Sequence, residues 1–145
     1  MRSKLIFHRQ EKDYSCVPAC IKMVLESFGL TLSEVDLRQR CDCTPFGTDA
    51  FQAVEAVRKL GFVNTIKGTS SIEELLHQLS LGRYPIAFIN LLLIDSIKIA
   101  HAIIVMDLDS DWVEVCDPLQ GDRTLPRSTF DSAWAMMRNL VILIQ

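Results

Sequence analysis

The spacing of apolar residues changes from a helical repeat to a strand repeat near residue 80, and this change limits the folds open to the chain. Between Val17 and Phe28 the apolar residues recur at helical spacing, as on the buried face of an amphipathic helix. Beyond Tyr84 they form dense or alternating runs bounded by turn residues, a pattern typical of strands. Helices that precede antiparallel strands predict an α+β fold, with an N-terminal helical lobe packed on a C-terminal antiparallel sheet.

Four helices are predicted in the first half from their start and stop signals. The first begins near Val17, with Pro18 in its first turn and Gly29 as its stop, since proline suits the first turn of a helix and glycine its end. Residues 31–34 have a capping-box pattern that opens a second helix to about residue 40. The other predicted elements are a loop at 45–47, a third helix capped by Thr48 or Asp49 and running through Leu60, a strand at 62–66, and a fourth helix from Ser70 and Ser71 to about Ser80.

Strands dominate the second half. Residues 84–93 predict a buried strand, and residues 99–107 and 112–116 predict a hairpin around a turn at 109–111. The remaining predictions are a short strand near 123–125, a short helix capped at 128–131 that carries Trp134, and a last buried strand at 140–144.

Length, charge and hydropathy narrow the class of protein. The 145 residues fit one domain, predicted to span residues 1–145. The net charge is −3 and no basic stripe stands out, which argues against a nucleic-acid partner. The apolar runs at 5–7 and 85–94 are too short for a signal peptide or for the ~20 residues that span a bilayer. We therefore expect no direct membrane insertion.

The five cysteines do not predict a disulfide framework. Their number is odd and their spacing uneven in a chain without a signal peptide, which favours a reducing compartment. Cys41 and Cys43 lack the spacing of a zinc knuckle and no second Cys/His pair follows, so we predict no metal and no cofactor and place both in loop or core. Cys20 and Cys116 are predicted to be buried and inert.

Cys16 is the candidate nucleophile because it stands at the predicted start of the first helix. The unpaired N–H groups and the dipole at that end stabilise an anion by up to ~2 kcal/mol. A strongly nucleophilic thiolate also requires a nearby imidazolium. His8 and His77 are predicted to lie on the surface, whereas His101 lies within an apolar strand. His101 is therefore the candidate base, the alternative being a satisfied core histidine.

Asp117 is the candidate partner of His101. A hairpin centred on residue 109 would pair positions 101 and 117 directly, so that both side chains share one face. A carboxylate there accepts the imidazole Nδ1–H and orients the ring, whereas a slip of one residue would separate the two side chains. The alternative is that Asp117 and Pro118 form an ordinary strand-ending turn.

Gln10 is the candidate oxyanion donor. It precedes Cys16 by six residues, and a loop of that length can fold back beside the helix start. The Gln10 amide could then join the Cys16 backbone N–H in stabilising a developing oxyanion. Taken alone, a surface glutamine is the simpler interpretation.

These residues belong to a longer pattern that resembles the bacterial double-glycine leader peptidases, papain-fold cysteine peptidases that process bacteriocin precursors. The matching segments cover nearly the whole chain in order: residues 10–20, 47–48, 60–62, 84–87, 101–105 and 117–118, and Phe130 with Trp134. The sequence departs from the family at Ser15 and Val17, where the family often has Asp and Gly. The resemblance implies a papain-like cysteine peptidase fold.

By this resemblance Gln10 matches the family's oxyanion-hole glutamine and Cys16 its nucleophile. His101 matches the base, and Asp117 the acidic or amide residue that orients the base. The resemblance implies a cysteine endopeptidase that hydrolyses a peptide bond through a Cys16 thioester, after a Gly-Gly-type leader of a secreted peptide.

The resemblance also implies partners and a location. Family members commonly form the cytosolic N-terminal domain of peptide-exporting ABC transporters, so it implies a peptide or protein substrate, a transporter membrane component as partner, and a cytoplasmic position at the inner face of the membrane. The sequence contains neither transmembrane helices nor a Gly-rich nucleotide-binding loop, so we expect an excised domain or a stand-alone relative.

Two alternatives stay open at the level of sequence. The same residues could act on a different amide, as in a papain-fold amidase, isopeptidase or toxin. The domain could also bind a leader peptide without cutting it, although its cysteine at position 16 argues against this.

Overall fold

The computed structural model describes residues 5–145, which contain six helices and six strands. The predicted domain of residues 1–145 thus includes residues 1–4, which lie outside the described part. In chain order the elements are α1 (Cys16–Ser27), α2 (Glu34–Arg40), α3 (Ala50–Lys59), β1 (Ile66–Thr69), α4 (Ile72–Ser80), β2 (Ile86–Asn90), α5 (Leu92–Asp95), β3 (Ala100–Leu108), β4 (Trp112–Asp117), β5 (Gly121–Pro126), α6 (Arg127–Ala135) and β6 (Leu140–Leu143).

The six strands form one antiparallel sheet in the order β1-β6-β2-β3-β4-β5. On β3, residues 102–105 are all buried, although successive side chains of a strand point to opposite faces. Both faces of the sheet are therefore covered at β3, against which α1 packs. Three of the helices precede the first strand. This mixed architecture confirms the predicted α+β fold.

The helix starts follow from short polar side chains that satisfy free N–H groups. Asp49 accepts from the Gln52 N–H at 2.7 Å, as predicted for α3. Ser71 caps α4 in the same way. The cap of α2 is Ser33, which accepts from the Asp36 N–H, so α2 begins two residues later than the capping box at 31–34 predicts.

Three further sequence predictions are wrong in their boundaries. The strand predicted at 62–66 starts only at Ile66, because Phe62 instead packs its ring on Phe28 with the centroids 5.4 Å apart. The strand predicted at 84–93 ends at Asn90, whose side-chain oxygen accepts from the Leu92 N–H as α5 begins. The helix predicted to be capped at 128–131 begins at Arg127.

Helix α6 is attached to the sheet by Trp134. The Trp134 ring is 1% exposed and lies beside Phe130, with the ring centroids 5.5 Å apart. Its indole N–H donates to the Leu140 carbonyl at 3.0 Å. This contact joins α6 to the start of β6.

Candidate active site

Cys16 is the first residue of α1. The preceding turn is held by Ser15, whose hydroxyl accepts from the Lys12 N–H and donates to the Lys12 carbonyl, both at 3.0 Å. Ser15 therefore does not cap α1 with its side chain. The first N–H groups of a helix have no intrahelical acceptor, so this end of α1 presents free donors and positive dipole potential beside the Cys16 thiol.

The Cys16 thiol opens onto a cleft of about 440 Å³ between the start of α1, the loop between α2 and α3, and strands β2 and β3. The loop wall is a tight turn in which Thr44 and Gly47 exchange two backbone hydrogen bonds, and Phe46 at its tip is fully exposed. The residues that line the cleft are Asp13, Tyr14, Cys16, Val17, Pro45, Phe46, Gly47, Thr48, Phe88, Ile99, Ala100, His101 and Ala102.

His101 lies near the start of β3, is 7% exposed, and lines the cleft together with Cys16. The ring Nε2 is 2.7 Å from Asp117 Oδ1, and the Cys16 side chain is near enough to raise the pKa of the same ring. Since Nε2 faces the carboxylate, Nδ1 is the nitrogen left for sulfur. The expectation that Asp117 would bind Nδ1 is therefore wrong. Asp117 binds Nε2 instead, and Nδ1 is the nitrogen available to the Cys16 sulfur.

The predicted pairing of His101 with Asp117 across the hairpin is also wrong in register. Ile104 pairs with Cys116, so position 103, not position 101, stands opposite Asp117 when the ladder is continued. His101 itself pairs with Ile89 of β2. His101 and Asp117 are thus diagonal neighbours on one face, a separation that long or ring-shaped side chains can bridge.

A β-bulge at Met106 decides which face Asp117 occupies. On the turn side of the bulge, Asp107 pairs with Glu114. A ladder continued in that register would set position 104 opposite Asp117 and turn its carboxylate to the face away from His101. The extra residue at Met106 shifts the register by one and brings the carboxylate back to the imidazole.

The surroundings of the pair favour its charged form. Burial disfavours the imidazolium and by itself lowers the pKa of His101, but the hydrogen bond with Asp117 and the interaction with Cys16 outweigh it and raise that pKa from 6.5 to about 9. Burial likewise raises the pKa of Asp117, but the contacts with His101, the Leu119 N–H and Arg123 hold it below its usual 3.8. The arrangement therefore keeps an imidazolium beside a sulfur atom at neutral pH.

Two charged residues near the pair, Arg123 and Asp95, are not among the site residues predicted from the sequence. Arg123 of β5 lies 3.3 Å from Asp117 Oδ2 and forms a two-bond ion pair with Asp95, at 2.8 and 2.9 Å. Asp95 ends α5 in the segment between β2 and β3. The alternation of β5 opposite β4 could have indicated Arg123, because Val115 pairs with Arg123 and shares a face with Asp117.

Gln10 is buried, 6% exposed, and its backbone N–H donates to the Pro118 carbonyl at 2.8 Å. Its side-chain Nε2 donates to the Lys12 carbonyl at 2.7 Å, and within the described residues its Oε1 has no partner. The surface interpretation is therefore wrong for Gln10. The residue lies in the loop before Cys16, but it is not among the residues that line the cleft.

The other cysteines are not among the residues that line the cleft. Cys20 is buried, with its thiol 3.5 Å from the Ala102 carbonyl, and burial raises its pKa. Burial also raises the pKa of Cys41 and of Cys116 to about 12. Cys43 is half-buried in the loop after α2.

The remaining histidines are structural or exposed. His77 is exposed on α4, as predicted. His8 is only half-exposed, and its Nε2 lies 2.6 Å from Glu26 Oε2. His8 thus lies partly at the surface, and its contact with Glu26 joins the N-terminal segment to α1.

A thiol at a helix start that faces an imidazole–carboxylate pair on an antiparallel sheet places this fold among the papain-like cysteine peptidases. The model of the Peptidase C39 family matches residues 4–145, and the chain belongs to that family.

Known relatives agree with this assignment. Over 131 residues the chain is 28% identical to the lactococcin-G-processing and transport ATP-binding protein LagD of Lactococcus lactis subsp. lactis, an alignment that covers 90% of this chain and 18% of LagD. The chain thus spans about a fifth of that relative.

Solved structures agree on the fold. The peptidase domain of Streptococcus ComA, a bi-functional ABC transporter involved in a quorum-sensing pathway, matches with a TM-score of 0.78 at 25% identity, covering 99% of this chain and 98% of that domain. A double glycine motif protease from an AMS/PCAT transporter, solved with a leader peptide, matches with a TM-score of 0.75 at 18% identity, covering 99% and 94%. Within residues 5–145, no helix combines the length and the apolar character needed to cross a bilayer.

Proposed function

We propose that the chain hydrolyses a peptide bond with Cys16 as nucleophile, His101 as general acid–base and Asp117 as the residue that orients the base. The observation that carries this proposal is the 2.7 Å contact of the His101 ring with Asp117, at the edge of a cleft that Cys16 and His101 line together. A thiolate stabilised by an imidazolium is the reactive form of such a nucleophile.

The reaction follows from the atoms in contact. The His101 Nδ1 holds the proton that leaves the Cys16 thiol, and the thiolate attacks the carbonyl carbon of the scissile bond. The imidazolium then gives this proton to the leaving amine, and a Cys16 thioester remains. Water attacks the thioester while the ring takes one of its protons, which releases the acid and restores the thiol.

The oxyanion of the tetrahedral intermediate needs donors beside Cys16. As the first residue of α1, Cys16 has a backbone N–H without an intrahelical acceptor. Gln10 is the proposed second donor. One of its two amide hydrogens is used by Lys12, and in this role the other would donate to the oxyanion. Such a donor is worth about 10²–10³ in kcat.

The proposed substrate is a precursor peptide that is cut after a Gly-Gly pair at the end of its leader. The family membership of the chain and the processing role named for LagD support this class. The exposed Phe46 at the rim of the cleft is suited to hold an apolar side chain of the leader. Residues without side chains beside the scissile bond let the peptide backbone come close to the sulfur.

The proposed partner is the membrane component of a peptide-exporting ABC transporter, with the domain on the cytoplasmic side. The transport role named for LagD and the transporter context of ComA support this partner. Chemical crosslinking in the native host, followed by purification through a tag on this chain, should recover a transporter subunit. Recovery of the chain alone would instead favour a stand-alone peptidase.

The direct test is cleavage of synthetic double-glycine precursor peptides by the purified chain, followed by mass spectrometry. We expect one cut after the second glycine, abolished in Cys16→Ala. Cys20→Ala is the matched control, because Cys20 lies one turn further along α1 and points into the core; this variant should keep its activity.

The remaining outcomes separate the competing functions. Release of ammonia or cleavage of an isopeptide, without cleavage of any leader, would assign the same site to another amide. Tight binding of a leader by both the wild type and Cys16→Ala, without any product, would make the domain a binding module.

A further inference from the structure

The His101–Asp117 pair is one end of a longer chain of charges that crosses three strands. Asp117 Oδ1 contacts the imidazole at 2.7 Å and accepts from the Leu119 N–H at 2.8 Å. Its other oxygen, Oδ2, has a different neighbour, the Arg123 guanidinium at 3.3 Å. Both oxygens are thus assigned, and a carboxylate held at both oxygens cannot rotate freely about its terminal bond.

Arg123 is itself held in place by Asp95. The two bonds between the guanidinium and Asp95 measure 2.8 and 2.9 Å, the paired geometry that fixes the plane of an arginine. The Arg123 and Asp95 side chains are 23% and 28% exposed, whereas Asp117 is 3% exposed. The Arg123 guanidinium therefore connects the partly exposed Asp95 with the buried Asp117.

Asp95 also connects this chain of charges to the cleft. It closes the short α5 and is followed by Ser96 with a φ of +60°. This left-handed residue turns the segment toward Ile99, which lines the cleft next to Ala100 and His101. One side of the cleft and the carboxylate behind the catalytic ring are thus anchored to the same guanidinium.

We propose that Arg123, anchored by Asp95, is a positioning residue that holds the Asp117 carboxylate toward the His101 ring and fixes the β2–β3 segment against it. This inference rests on the proposed function for its catalytic meaning. Arg123 does not touch the reacting atoms; it acts through Asp117.

The sign of the effect on His101 distinguishes positioning from simple charge. The charged or titratable groups that act on the ring are Cys16 of α1, Asp117 of β4 and Asp95 of α5, and Arg123 of β5 lies behind Asp117. Removal of a nearby cation from an otherwise unchanged site favours the imidazolium and raises its pKa. Release of the carboxylate removes the hydrogen bond that favours the imidazolium and lowers it.

The experiment is a pH titration of the His101 ring by NMR, in protein labelled with ¹⁵N at its three histidines. We expect the His101 midpoint to fall by about one pH unit in Arg123→Gln, the size of one charge-assisted hydrogen bond. Arg123→Lys keeps the charge, but one ammonium group cannot reproduce the two bonds to Asp95 together with the contact to Asp117. The midpoint should therefore fall in Arg123→Lys as well, and this variant replaces Arg123→Gln if the latter does not fold.

Arg127→Gln is the matched control. Arg127 is 22% exposed, close to the 23% of Arg123, and its ion pair is with Asp131 of α6. The His101 midpoint in this variant should equal that of the wild type. A higher midpoint in Arg123→Gln together with an unchanged midpoint in Arg123→Lys would show that Arg123 acts only through its positive charge, and the positioning role would be wrong. An unchanged midpoint in both would overturn the proposal.

The titration does not depend on finding a substrate, so it separates this inference from the proposed function. If the wild type cleaves peptides but the His101 titration is unchanged in both Arg123 variants, the positioning role is wrong and the proposed peptidase function stands. If the titration shifts as expected but the wild type cleaves no peptide, the positioning role is supported and the proposed peptidase function is wrong.

Discussion

Replacement of Asp117 by Ala should convert His101 from a mostly charged into a mostly neutral ring at neutral pH. The pKa of His101 is raised from 6.5 to about 9, and the hydrogen bond to Asp117 is the strongest of the interactions that raise it. This rise of about 2.5 units corresponds to ~3.4 kcal/mol in favour of the imidazolium, at 1.36 kcal/mol per unit. Without Asp117, burial acts against a weaker set of partners, and the pKa should fall toward 6.5.

The change in population follows from these values. At pH 7.5 about 97% of the ring is charged with a pKa near 9, but only about 9% with a pKa of 6.5. The same ¹⁵N-histidine titration measures the change directly, and the His8 and His77 signals serve as internal references. In Asp117→Asn the amide oxygen still accepts the ring N–H, so this variant should titrate between the wild type and Asp117→Ala. A His101 midpoint that stays near 9 in Asp117→Ala would refute the argument.

The other predictions concern substrate binding, acid stability and the core. Phe46→Ala should raise KM for apolar leader peptides by about tenfold or more with kcat unchanged, because it removes an aromatic contact worth ~1.5–3 kcal/mol; steady-state kinetics will check this. The folded-state pKa of Asp117 lies below 3.8, so its contribution to the free energy of unfolding is present above that pH and is lost as the pH falls through the folded value; urea titrations should show the wild type approaching Asp117→Asn in acid. Glu34→Ala should cost roughly 1–3 kcal/mol, because the buried carboxylate accepts from the Glu11 N–H and from Arg38. Trp134→Ala should cost about 3–5 kcal/mol in the same assay, since the ring is 1% exposed.

The fold was predictable because its signals are local. Gly29 and Gly61 end helices with φ values of +93° and +107°, a conformation that glycine adopts without a steric penalty. Asp49 and Ser71 begin helices as predicted. The strand at 62–66 was wrong because the apolar character of Phe62 reports burial and not conformation, and its ring packs on a helix end.

The site was predictable in its members more than in its geometry. A helix start at Cys16 and an apolar strand around His101 are visible in the sequence, and the structure brings both to one cleft. The bulge at Met106 was not predictable, because the neighbouring residues carry no turn signal and a single extra residue shifts the register. Without it, Asp117 would turn away from the ring.

Long-range charge contacts were the least predictable part. The ion pair of Arg123 with Asp95 joins residues 28 positions apart, and it depends on how a loop between two strands folds over a third. Gln10 posed the same difficulty. Its place beside Pro118 is set by a backbone hydrogen bond between segments more than a hundred residues apart.

The measurement that tests the central claim most directly is the rate of Cys16 alkylation by iodoacetamide as a function of pH, followed by peptide mapping. Cys43 is also only half-buried and provides a reference thiol in the same sample. We expect Cys16 to be alkylated much faster than Cys43 at neutral pH, and His101→Ala to remove this difference. If Cys16 and Cys43 gain reactivity together in the wild type, the thiolate–imidazolium pair does not exist and the peptidase mechanism is contradicted.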